Sequence, residues 1–104
     1  MTQEISEYDD DPIIGPLLRE FLDSLASQVR ELGPLQHANK FEAISKVAHR
    51  IKGGAMNYGF ARIGRLAHEV EELCGVETAD SDRLSLKISA LGALIHGSQK
   101  NLGP

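Results

Sequence analysis

Apolar residues recur along this chain at helical spacing in four stretches. Leu18, Phe21, Leu22, Leu25, Val29 and Leu32 fall on one face of a helix with 3.6 residues per turn. Phe41, Ile44, Val47, Ala48, Ile51 and Ala55 form a second set. Phe60, Ile63, Leu66, Ala67, Val70 and Leu73 form a third, and Leu84, Ile88, Leu91, Ile95 and Leu102 a fourth. No strand-like alternation and no Asn-Gly or Asp-Gly hairpin signal competes with them. Four amphipathic helices with short connections predict an all-α fold, an antiparallel four-helix bundle. A chain this short must bury nearly all of these stripes to be stable, so most of the residues named belong to the core.

Turn and cap residues punctuate the pattern. Asp11-Pro12 has an N-cap residue followed by a first-turn proline, and Gly15-Pro16 breaks a helix four residues later. This predicts a short N-terminal turn or helix, then a longer helix from about Pro16. Gly33-Pro34 is expected to end that helix, with a glycine just past its last turn and a proline that cannot continue it. Asn39 followed by Glu42 reads as a capping box for the second helix. Asn57-Tyr58-Gly59 is a turn, Cys74-Gly75 a stop, and Asp80 or Ser81 a cap for the fourth helix. Residues 1–10 lack periodicity, and Glu4, Glu7, Asp9 and Asp10 repel one another. They are expected to form a flexible acidic tail ahead of a single domain over residues 11–104.

Composition narrows the function classes. The 104 residues fit one small domain. A formal net charge of −4 argues against a chain that coats nucleic acid, and the absence of Trp argues against a stacking platform for single strands. No apolar run approaches the roughly 20 residues that span a bilayer, and the polar, acidic N-terminus is no targeting peptide. A single cysteine, Cys74, forms neither an internal disulfide nor a CxxC metal site. It reads as a small packing residue at a helix end, and the expected compartment is the reducing cytoplasm.

One strip does not fit a plain bundle. On a wheel of about 100° per residue, Ile44, Ala48, Ile51 and Ala55 cluster on the core side of the second helix. His49 lies about 140° from Ile44, on the opposite flank, and it shares an exposed strip with Lys52, Gly53 and Met56. Gly53-Gly54 interrupts a helix where each Gly costs roughly 0.5–1 kcal/mol relative to Ala. Close approach of a bulky group beside His49 is one compensation; for Gly54, packing between helices is an equal alternative. A cation one turn from His49 favours the neutral, nucleophilic imidazole, and would neutralise a phosphoryl group carried on that ring.

Charge is segregated around this strip. Residues 1–39 carry a net −6, residues 40–65 a net +5 from Lys40, Lys46, Arg50, Lys52, Arg62 and Arg65 against Glu42, and residues 66–104 a net −3. The basic segment is centred on the stretch that carries His49 and suits an acidic protein partner.

The run Ala48-His49-Arg50-Ile51-Lys52-Gly53-Gly54-Ala55, then Tyr58-Gly59-Phe60, Leu66-Ala67 and Val70-Glu71, resembles the histidine-containing phosphotransfer (HPt) domain. The resemblance covers residues 47–73, about a quarter of the chain. It implies an antiparallel four-helix bundle whose exposed histidine, here His49, exchanges a phosphoryl group with a receiver-domain aspartate or takes one from a sensor histidine kinase. Lys52 would be the nearby cation, Gly53 the small residue that leaves room for the phosphoryl group and the partner, and Gly59 the residue that opens the third helix close to the second. Mg²⁺ is expected on the partner, so the chain itself needs no cofactor and no metal. A monomer and a freestanding carrier are expected. Arg50, Met56, Tyr58, Gly59 and Arg62 are candidates for partner contact, although Met56 and Tyr58 have folding back onto the bundle as an equal alternative.

The chain is also similar to the phosphotransfer domain of chemotaxis kinases. That resemblance implies a histidine and a glutamate on the third helix at the spacing of His68 and Glu71, with Glu71 accepting the ring N–H of His49. The alternative is that both are solvated surface residues. Two other functions remain to be weighed. A di-iron bundle needs Glu-x-x-His on two helices, and no glutamate here has a histidine three residues later. A helical interaction module without phosphorylation would have no need of His49, Lys52 and Gly53 together. His37 and His96 are expected on the surface or in loops.

Overall fold

The computed structural model describes residues 3–75 and 81–102. The chain is all-helical, and the described residues contain no strand. A single 3₁₀ turn at Gly15–Leu17 leads into α1 (Leu18–Arg30), α2 (Leu32–His37), α3 (Phe41–Asn57), α4 (Ala61–Cys74) and α5 (Ser81–Asn101). The four long helices match the four apolar stretches. The expected cap at Asp80 lies outside the described residues.

The predicted stripes form one core. Leu18, Leu22, Leu25, Ile44, Ile51, Phe60, Ile63, Val70, Leu84, Leu91 and Ile95 are all at least 99% buried and touch across the helices. Burying a side chain of this size contributes roughly 1.5–3 kcal/mol, which holds the helices together more firmly than intrinsic propensity does. α3 and α4 pack most closely, α5 lies against both α1 and α4, and α2 covers α3.

The chain departs from the expected punctuation in three places. Gly33-Pro34 does not stop helical structure, because both residues lie in α2. Pro34 sits in the first turn of that helix, where an N–H would have no intrahelical acceptor. Asn39 does not cap α3, whose N-cap is Lys40 without a side-chain hydrogen bond. Asn39 instead closes α2 in the left-handed region at φ 56°. The N–H of Lys40 reaches the carbonyl of Leu35, and that of Asn39 the carbonyl of Gln36, which is a Schellman closure.

The third departure is the N-terminal segment, which is not a loose tail from residue 3 onward. Both carboxylate oxygens of Glu4 accept from the first N–H groups of α4, those of Arg62 at 2.8 Å and Ile63 at 2.9 Å. The Glu4 N–H donates to Ser98 Oγ on α5. Ser6 is buried and donates to the Tyr58 carbonyl, and the Glu7 N–H donates to that of Gly59. Acidic repulsion is outweighed because a helix N-terminus offers unsatisfied donors and positive potential, which a carboxylate satisfies. Asp11 accepts from the N–H groups of Ile13 and Ile14, as its cap-like position predicts.

Candidate functional site

The turn between α3 and α4 sets the site. α3 ends in a second Schellman closure, with the Phe60 N–H on the Ala55 carbonyl and the Gly59 N–H on that of Met56. Gly59 takes φ +80°, and a side chain there would come within 2.7 Å of Ser6 Oγ and Glu7 Cγ. Glycine is required on both counts. The chain then folds back, so that Met56 meets Gly64, Lys52 meets His68 and His49 meets Glu71.

His49, Lys52, His68 and Glu71 therefore form one cluster on the exposed side of α3 and α4. His49 Nδ1 lies 2.8 Å from Glu71 Oε2. Lys52 Nζ donates to Glu71 Oε1 at 3.0 Å and lies 3.5 Å from His68 Nδ1. His68 Nε2 faces Glu72 at 3.4 Å. A carboxylate only accepts, so the His49 proton sits on Nδ1. Nε2 then carries the lone pair, and it has no hydrogen-bond partner among the described residues. The His49 side chain is 67% exposed while Glu71 is 24% exposed, so the ring projects from a more protected anchor. The hydrogen bond from Lys52 is the main cause that holds the Glu71 carboxyl below its usual range. Partial burial opposes this, and His49 adds to it.

The glycines separate by role. A Cβ at Gly53 would meet nothing within 4 Å, so no internal contact explains a glycine there. A Cβ at Gly54 would lie 3.0 Å from the Phe21 ring, which settles its place as helix packing against α1.

The remaining candidates scatter. Met56 is exposed beside the cluster. Tyr58 folds back onto the bundle and stacks on Phe21 at 4.1 Å between ring centres. Arg50 turns toward α1, donating to Gln28 and facing Glu31. Arg62 donates to the Gln3 carbonyl of the N-terminal segment, which also covers Gly59. Spacing along one helix placed Lys52 beside His49, whereas the spread of the arginines depends on contacts with α1 and residues 3–8 that periodicity does not encode. Among the described residues no three His, Cys, Asp or Glu side chains come together to hold a metal ion, and no helix is long and apolar enough to cross a membrane.

The family model for the Hpt domain matches residues 16–99. The chain belongs to the Hpt domain family. Comparison with curated proteins and with solved structures gives no match. Hpt domains carry phosphoryl groups in phosphorelays and work with receiver domains and histidine kinases, so phosphotransfer in a phosphorelay is the general role of this Hpt domain. The cluster on α3 and α4 lies wholly within the matched residues.

Proposed function

We propose that this Hpt domain is a histidine phosphotransfer protein of a two-component phosphorelay, that His49 is its phosphoacceptor, and that the helices form an antiparallel four-helix bundle. The supporting observation is an exposed His49 ring whose Nδ1 is held by Glu71 while its Nε2 has no hydrogen-bond partner among the described residues. The Nε2 lone pair attacks the phosphorus of a receiver aspartyl phosphate. The N–P bond forms as the P–O bond to the aspartate breaks, and the aspartate leaves as a carboxylate with that electron pair. The proton stays on Nδ1, where the Glu71 carboxylate stabilises the charge that develops on the ring. The reverse step returns the group to a receiver. Lys52 acts mainly by holding the second oxygen of Glu71, and Gly53 keeps the approach to Nε2 open. Mg²⁺ and the other catalytic groups belong to the receiver or kinase, and the domain acts as a cytoplasmic monomer.

The His49–Glu71 pair with His68 alongside favours a second reading, a phosphotransfer domain of a chemotaxis-type kinase. Both readings use the same residues and differ in the donor.

The test is incubation with aspartyl-phosphorylated receivers and with autophosphorylated kinases of the source organism. Acid-labile, base-stable label on wild type and none on His49→Gln is expected. Equal labelling of the two proteins overturns the assignment of His49. The class of donor that labels fastest distinguishes the two readings.

A further inference from the structure

The basic residues of the 40–65 segment differ in whether the fold already engages them. Arg50 faces Glu31, Lys46 faces Glu42, Lys52 is held by Glu71, and Arg62 is tied to the N-terminal segment. Arg65 is exposed, and its guanidinium has no hydrogen bond or ion pair among the described residues. Glu69 stands one turn away at the usual pairing distance in sequence, but it pairs through Oε1 with Lys87 of α5 at 3.2 Å and not with Arg65. The Lys40 side chain also has no partner among the described residues, yet it lies nine residues before His49, about 13 Å along the helix.

Arg65 borders a groove between α3 and α4. Met56, Ala61 and Gly64 supply its apolar surface. Met56 is 56% exposed, and its thioether lies so close over Gly64 that a Cβ there would come within 2.7 Å of Sδ. Lys52 and Gly53 form the wall on α3, one turn from His49, so a partner seated in the groove stands next to the turn that carries His49. An apolar floor flanked by an unpaired guanidinium is complementary to an apolar side chain next to a carboxylate. No internal ion pair must break for Arg65 to engage it, and the planar fork accepts both carboxylate oxygens.

We propose that Arg65 is a specificity-determining residue, which binds a carboxylate on the docking face of the receiver domain while a neighbouring apolar side chain of that receiver enters the Met56–Gly64 groove. This rests on the phosphotransfer reading above. It moves the selecting charge from Arg50 and Arg62, which the sequence alone favoured, to a residue that the fold leaves free.

The experiment measures transfer between this protein and the receiver that exchanges with it fastest, over a range of receiver and NaCl concentrations. Arg65→Glu is expected to raise the half-saturating receiver concentration about ten-fold and to remove most of the salt dependence, without moving the melting temperature. Arg65→Lys, which keeps the charge and loses the fork, falls between it and wild type. Unchanged half-saturation and salt response in Arg65→Glu overturn the role of Arg65. A wild-type protein that takes no phosphoryl group from any receiver overturns the underlying reading instead.

Discussion

Glu71 holds His49 and Lys52 with different oxygens, Oε2 at 2.8 Å from His49 Nδ1 and Oε1 at 3.0 Å from Lys52 Nζ. One carboxylate thereby fixes the tautomer of the ring and is itself fixed by an ammonium. Glu71→Ala releases both. The His49 ring should shift from the Nδ1–H form toward a mixture with Nε2–H, visible in long-range nitrogen–proton NMR correlations. Phosphotransfer should fall about ten-fold, the usual scale for losing an orienting hydrogen bond.

The depressed pKa of Glu71 makes the cluster sensitive to acid. A carboxyl ionising below its ordinary value of 4.5 stabilises the folded state. That contribution is complete above the ordinary value and is lost as pH falls through the lower, folded one. Urea unfolding of wild type and Glu71→Gln should therefore differ most near pH 6, and the gap should shrink in strong acid. A gap that widens in acid would contradict the sign.

Gly53 sets stability against transfer. Its Cβ position is open, so Gly53→Ala should stabilise the helix by about 0.5–1 kcal/mol. If Gly53 keeps the approach to His49 open, as proposed, the added methyl obstructs a partner there and transfer to a receiver should slow. Denaturant midpoints and transfer rates on the same samples check both halves; a variant that gains stability and keeps the full rate removes the steric role of Gly53.

Glu4 tests whether the N-terminal segment is structural. It caps α4 through the N–H groups of Arg62 and Ile63, so Glu4→Ala should cost about 1 kcal/mol, the typical effect of losing a helix cap. No change in the unfolding midpoint would return residues 3–8 to the role of a passive tail.

The helices and their buried faces were legible in the sequence because helical periodicity is a local property: Ile44, Ala48, Ile51 and Ala55 fall on one side of any helix that contains them. His49 and Lys52 share a face for the same reason, and the resemblance around them named the chemistry. Capping was less legible. Asn39 has the residue type of an N-cap, but the left-handed closure of α2 claimed it first. Pro34 has the signature of a stop, yet a proline in a first turn removes no hydrogen bond.

What the sequence by itself determined is the helical stripes, the His49–Lys52–Gly53 strip and the family they announce. Which distant groups meet that strip was decided only by tertiary structure. Glu71 reaches His49 because the turn at Gly59 folds α4 back on α3, while Arg50, Arg62 and Tyr58 are drawn away by partners on α1 and the N-terminal segment. Spacing along one helix fixes angles about that helix. The pairing of charges across helices depends on which neighbour arrives: Glu69 is met by Lys87 of α5, while Arg65, one turn away, has no ion pair among the described residues.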